Sequence, residues 1–126
     1  MSLLPGNGRV VPLRSLAKTI RSKNAGCHYY TMDIIFAEHE TYRRVMATGV
    51  ITRELISLLY GIPQARIVEL VPYEHGNAVK ITIRRAVTSG DVGDTDVYGC
   101  QQYIPLLDIP IPWEGDLPQA PSPSWH

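Results

Sequence analysis

Residues 13–36 read LRSLAKTIRSKNAGCHYYTMDIIF, and the way this stretch divides decides the fold. Leu13, Leu16, Ala17 and Ile20 fall at i, i+3, i+4 and i+7, the spacing of one helix face, with Lys18 and Arg21 lying off it. Asn24-Ala25-Gly26 is a helix stop, because Asn and Gly take the left-handed conformation at little cost. The spacing predicts a first helix over 13–23. Residues 28–36 are rich in Tyr, Ile and Phe and predict a strand. Strand side chains alternate, so His28, Tyr30, Met32, Ile34 and Phe36 share one face and Tyr29, Thr31, Asp33 and Ile35 the other. The first set is the more apolar and is expected on the core. Asp33 is then expected on the opposite face, either covered by a partner or lining a cleft.

Working outward, Glu38-His39-Glu40 suits a helix start, where acids favour the positive end of the dipole. Tyr42, Val45 and Met46 form its apolar stripe, and Gly49 ends it. Thr52 is a good N-cap for a helix over 53–60, with Leu55, Leu58 and Leu59 expected inside and Gly61 and Pro63 closing it. Residues 66–71 and 78–84 read as two strands joined by a turn at 74–77, a hairpin. A last short strand is expected near 98–103 or 106–109. Helix, strand, two helices, then two strands is an α+β order: a small antiparallel or mixed sheet with about three helices on one face.

The chain has 126 residues, which suits a single domain with a modest core, and 44% of them are hydrophobic, which favours a globular fold over disorder. Residues 1–9 read as a flexible leader, 10–112 as the folded domain and 113–126 as a Pro-rich arm. Six of the ten prolines lie from Pro105 onward, so the tail is expected to be disordered or laid along a surface rather than helical. Twelve basic residues balance twelve acidic ones, which argues against nucleic-acid binding and against attraction to an anionic membrane. Nothing approaches a membrane span or a secretory leader. Cys27 and Cys100 have no zinc-site spacing and read as reduced thiols. A soluble, cytoplasmic protein is expected.

Two polar clusters stand out. Arg21, Ser22, Lys23 and Asn24 bring two cations, a hydroxyl and an amide together in four residues. That set suits a carboxylate or phosphate, although solvated charges at a helix C-terminus have the same composition. Residues 89–99, SGDVGDTDVYG, combine three glycines with three carboxylates, including Asp94 and Asp96 around Thr95. Exposed backbone N–H groups there suit an anion, and the Asp and Thr side chains equally suit self-stabilised turns. The acids do not follow the pattern of a calcium loop, and no metal site is read from them. Gln101 and Gln102 follow as hydrogen-bonding amides. Asp33, inside a strand, needs a partner if buried, and Arg21, Lys23 and Arg84 are the candidates. Proton transfer is its other reading, shared only with His28, the one histidine beside the polar loop. Hydrolase, P-loop, dinucleotide and zinc-protease signatures are all missing from the sequence, and no cofactor is read.

The stretches LAKTIRSKNAG, TMDIIF, ITRELISLLYGIP and SGDVGDTDVYGCQQYIPLLDIPI resemble a family of small domains of unknown function. Its members tend to be encoded beside, or fused to, the acyclic terpene utilisation protein A family. The likeness spans about 13–112. It implies a large partner subunit similar to that protein and a hetero-oligomer acting on an organic acid or acyl thioester. It implies a catabolic step such as hydration, dehydration or a related lyase reaction. The polar blocks that carry the likeness would then face a shared site, with Arg21 and Lys23 holding a substrate carboxylate and Asp33 or His28 orienting groups or moving a proton. Trp113 and Trp125 would anchor the arm on the partner. The alternatives are a non-catalytic assembly module and a free-standing anion-binding homodimer paired through a sheet edge.

Overall fold

The computed structural model describes residues 9–26, 28–85, 103–118 and 124–125. Strand β1 (Val10–Pro12) is followed by a single 3-10 turn at Leu13–Ser15, then β2 (Thr19–Ala25) and β3 (Tyr29–Ile35). Helices α1 (His39–Ala47) and α2 (Arg53–Tyr60) lead to β4 (Ile67–Tyr73) and β5 (Ala78–Arg84). Strands β6 (Pro110–Pro112) and β7 (Ser124–Trp125) complete the order. One sheet runs β4-β5-β3-β2-β7, antiparallel except where β7 lies parallel to β2 at its outer edge. A separate two-stranded antiparallel ribbon joins β1 to β6. This is an α+β fold with two α-helices among the described residues, not three.

The missing helix is the one expected over 13–23. The four apolar residues behind that expectation are indeed buried, with Leu13, Leu16, Ala17 and Ile20 between 0 and 5% exposed. A 3-10 turn places Leu13 and Leu16 on one side at i and i+3. A strand starting at Thr19 then sends Ile20 and Ser22 to the same side. Four positions cannot distinguish that sequence of elements from two turns of α-helix. Pairing decides: Lys18 N–H donates to the Ile35 carbonyl at 2.7 Å, and residues 19–25 then pair in register with 35–29. The loop read as a helix C-terminus is thus the outgoing half of a β-hairpin.

From Tyr30 onward the β3 faces fall as the alternation predicts, whereas His28, expected on the same face, precedes the strand and is exposed. Tyr30, Met32, Ile34 and the following Phe36 are at most 2% exposed and meet Val79, Ile81 and Ile83 of β5 in the core. Each such aliphatic side chain contributes about 1.5–3 kcal/mol on burial. Both α-helices pack on this face. Tyr42 and Val45 of α1 are buried, with the Tyr42 ring edge-on to Phe36 at a centroid separation of 6.3 Å. From α2, the Tyr60 hydroxyl reaches Met32 Sδ at 3.0 Å. The buried side of α2 differs from expectation: Ile56 is fully buried and Leu58 is 81% exposed. Thr52 caps the helix by accepting from Leu55 N–H at 3.1 Å, and Gly61 ends it at φ +63°. With those ends set, Ile56 and Tyr60, four residues apart, turn inward and Leu58 turns out.

The C-terminal part also departs from the expected strand. Residues 98–102 lie outside the described set, and 106–109 are not a strand. Pro105 sits in a 3-10 turn over Ile104–Leu106, and Leu106 and Ile109 are buried as plugs rather than as strand residues. The strand begins one residue later, where Pro110 and Pro112 flank Ile111 on a ribbon edge that tolerates their missing donors. Trp113, expected as an anchor for a partner, is 4% exposed within this chain's own core. The Arg44 guanidinium lies 3.7 Å from its ring centroid, and its Nε1–H donates to the Asp116 carbonyl at 3.0 Å. No described helix is long and apolar enough to cross a membrane.

Candidate functional site

The face of the sheet opposite the helices carries a cleft of about 570 Å³. Register aligns its lining in rows across the strands. Arg21, Asp33, Lys80 and Val71 form one row, each opposite the next. Lys23, Thr31, Thr82 and Glu69 form the row on one side of it. Ile35, Ala78 and Tyr73 lie in the row on the other side. A bulge between Ile67 and Glu69 makes this possible. Simple alternation would put Ile67 and Glu69 on one face, but the extra residue lets Ile67 face the core while Glu69, Val71 and Tyr73 line the cleft.

Asp33 sits at the centre. Its side chain is 17% exposed, and a carboxylate oxygen lies 3.3 Å from Arg21 Nε, which donates to it. Lys80 stands opposite on the other neighbouring strand. Glu69 accepts a hydrogen bond from the Thr82 hydroxyl at 3.1 Å. Among the described residues the lining therefore holds three cations, Arg21, Lys23 and Lys80, against two carboxylates, Asp33 and Glu69. Across the cleft, the Tyr73 ring covers Gly76, where a β-carbon would come within 3.0 Å of the ring. Glycine at this position lets the ring lie flat against the turn.

The strand conformation splits the first polar cluster. Arg21 and Lys23 line the cleft, whereas Ser22 and Asn24 point to the opposite face. Ser22 Oγ accepts from Tyr103 N–H at 3.2 Å, tying β2 to the C-terminal segment. Asn24 Oδ1 accepts from the guanidinium of the buried Arg85, which also lies over the Tyr30 ring at 5.6 Å. Ser22 and Asn24 therefore hold structure together and do not share a site with Arg21 and Lys23. A helix C-terminus would have gathered all four; a strand cannot. His28 is exposed at the hairpin turn, where its carbonyl accepts from Arg85 N–H at 2.7 Å, and it does not line the cleft. Asp94, Thr95, Asp96, Gln101 and Gln102 lie outside the described residues. Among the described residues no three His, Cys, Asp or Glu side chains are placed to hold a metal ion.

Sequence reasoning missed Lys80, Glu69, Val71 and Tyr73. A signal for Lys80 was present: with Val79, Ile81 and Ile83 inward, Ala78, Lys80, Thr82 and Arg84 must face outward. Placing them beside Asp33 required the strand order β5-β3, which a lone strand before two helices does not specify. The bulge that turns Glu69 outward has no sequence signature here.

The fold and cleft define a small α+β domain with both described α-helices on one sheet face and a cleft on the other. Residues 13–110 match a family described as a domain of unknown function, DUF4387, and the chain belongs to that family. No curated protein and no solved structure matches it.

Proposed function

We propose that the chain is the small subunit of a two-component catabolic enzyme. In this reading a large subunit similar to acyclic terpene utilisation protein A closes over the open sheet face. The substrate is a carboxylic acid or acyl thioester, and the reaction is a hydration, dehydration or related lyase step. The observation that carries the reading is the cleft itself: an Arg21–Asp33 pair, flanked by Lys23 and Lys80, on a face that neither α-helix covers. The volume falls in the usual range of small-molecule sites, and among the described residues the cleft is left open on one side, as a half-site would be. Lys23 binds the substrate's anionic group beside Arg21, whose guanidinium fixes the orientation of Asp33. Asp33, in the middle of the cleft lining and held in place by Arg21, is the group assigned to orient the substrate or move a proton. The association with the large subunit is supported by the family resemblance of the RSKNAG and GDTDVYG blocks.

Co-expression of the tagged chain with its large genomic neighbour, followed by sizing chromatography, tests the reading. The expected result is a stable hetero-complex that turns over an organic acid or acyl thioester, and an inactive isolated chain. Turnover by the isolated chain would overturn it, as would failure of the two chains to associate. Val68, Val71 and Tyr73, exposed along the edge strand β4, favour a second reading as a non-catalytic assembly module. Lys23→Ala and Asp33→Asn separate the two. A catalytic half-site loses activity with the complex intact, whereas an assembly surface loses both in proportion.

A further inference from the structure

We infer that the cleft is a site for the free carboxylate of an aliphatic monocarboxylic acid, with the headgroup between Lys23 and Lys80 and the chain along Ile35, Ala78, Val71 and Tyr73. This rests on the reading that the open face is the ligand-bearing side of the sheet, and it narrows the ligand.

Three features carry it. The first is segregation. The row Ile35–Ala78–Tyr73 is free of charge, while the next two rows hold all the charged side chains among the described lining residues. Successive rows on one face are about 7 Å apart, so the cleft has a charged half and an apolar half within the length of one short acyl chain. The second is charge. Among the described lining residues three cations face two carboxylates, so one negative charge neutralises that set. A second carboxylate or a doubly charged phosphate would meet Asp33 and Glu69. A neutral thioester carbonyl would leave the surplus cation unmatched. The third is availability. Arg21 is engaged by Asp33, whereas among the described residues neither Lys23 nor Lys80 forms an ion pair. They stand two strands apart and one row out of step, roughly 12 Å between backbones, which two long flexible side chains span around one carboxylate. The Thr31 hydroxyl lies on the floor between them.

Calorimetric titration of the full-length chain alone provides the test, with hexanoate, hexanamide and acetate as probes. Hexanoate is expected to bind saturably at one site. Hexanamide lacks the charge and acetate lacks four methylenes, so each is expected to bind at least about tenfold more weakly, the first through a lost charge-assisted contact and the second through lost apolar burial. Lys80→Gln is expected to weaken hexanoate about fivefold or more while leaving acetate and hexanoate in the same order. Tyr73→Ala is expected to weaken hexanoate and leave acetate unchanged. Hexanoate-induced amide shifts in the unmodified chain at 21–23 and 78–80 provide a readout that needs no variant to fold. Absence of saturable hexanoate binding, equal affinity for hexanamide, or shifts confined to other residues would overturn the inference. The co-expression experiment fails independently. A chain that binds hexanoate but captures no large subunit refutes the two-component reading alone, and a chain that forms the complex but ignores hexanoate refutes this one alone.

Discussion

Replacing Asp33 by alanine should cost more stability than replacing Arg21, although the two form one ion pair. Asp33 is 17% exposed and Arg21 53%, and Asp33 alone has a cation opposite it on both neighbouring strands. At their 3.3 Å separation the bare attraction is about 1 kcal/mol in a water-like medium and about 5 kcal/mol at an effective dielectric constant near 20. Desolvation of the carboxylate and ordering of the arginine offset most of the larger figure, leaving a net coupling of about 1 kcal/mol. Arg21→Ala leaves Lys80 to balance Asp33 and should cost about 1 kcal/mol, whereas Asp33→Ala leaves two cations facing across β3 and should cost about 2 kcal/mol. In a domain of this size 1 kcal/mol lowers Tm by about 3–5 °C. Thermal and urea unfolding of the unmodified chain, both single variants and the double variant gives the cycle. Repeating it at about 0.5 M salt should shrink the coupling only in part, because the carboxylate is half-buried. Equal losses for the two single variants, or a coupling below about 0.3 kcal/mol at low salt, would refute the placement of Asp33 between two cations.

Two further outcomes follow from local geometry. Thr52→Ala removes the hydroxyl that accepts from Leu55 N–H and should lower unfolding stability by about 1 kcal/mol, with Thr52→Ser restoring most of it in a urea titration. Burial, and then the charge of Glu74, holds the Tyr42 hydroxyl above the usual tyrosine range. The unfolded chain therefore ionises first: the stability tied to neutral Tyr42 is complete below pH about 10 and is lost as pH rises from there through the folded-state value. Tyr42→Phe should flatten that alkaline decline, and an unchanged slope in urea titrations across this window would show that Tyr42 is not its source.

How far the sequence could be read depended on how local each decision was. The inward set of β3 was legible because alternation over Tyr30, Met32, Ile34 and Phe36 is unbroken. Both α-helices were legible from their ends, Thr52 and Gly61 above all. The helix expected over 13–23 failed because its buried residues are the same in either conformation, and the choice was made by hydrogen bonds to residues 29–35. The candidate site divided along the same line. Asp33, Arg21 and Lys23 could be named as residues, but their grouping could not, since a strand sends Ser22 and Asn24 away from them. Lys80 joined the site through strand order, and Glu69 through a bulge; both are tertiary facts.

The β1–β6 ribbon has a consequence for chain connectivity. Val10 and Pro112 face each other across it, and the Trp113 N–H donates to the Arg9 carbonyl at 3.1 Å just beyond. The ribbon thus brings the segments on either side of residues 13–109 together, while residues 124–125 return to the main sheet beside β2. The family match, over 13–110, is enclosed by this clasp. A segment clasped at both ends is closed on itself, and β7 joins the sheet from outside that clasp.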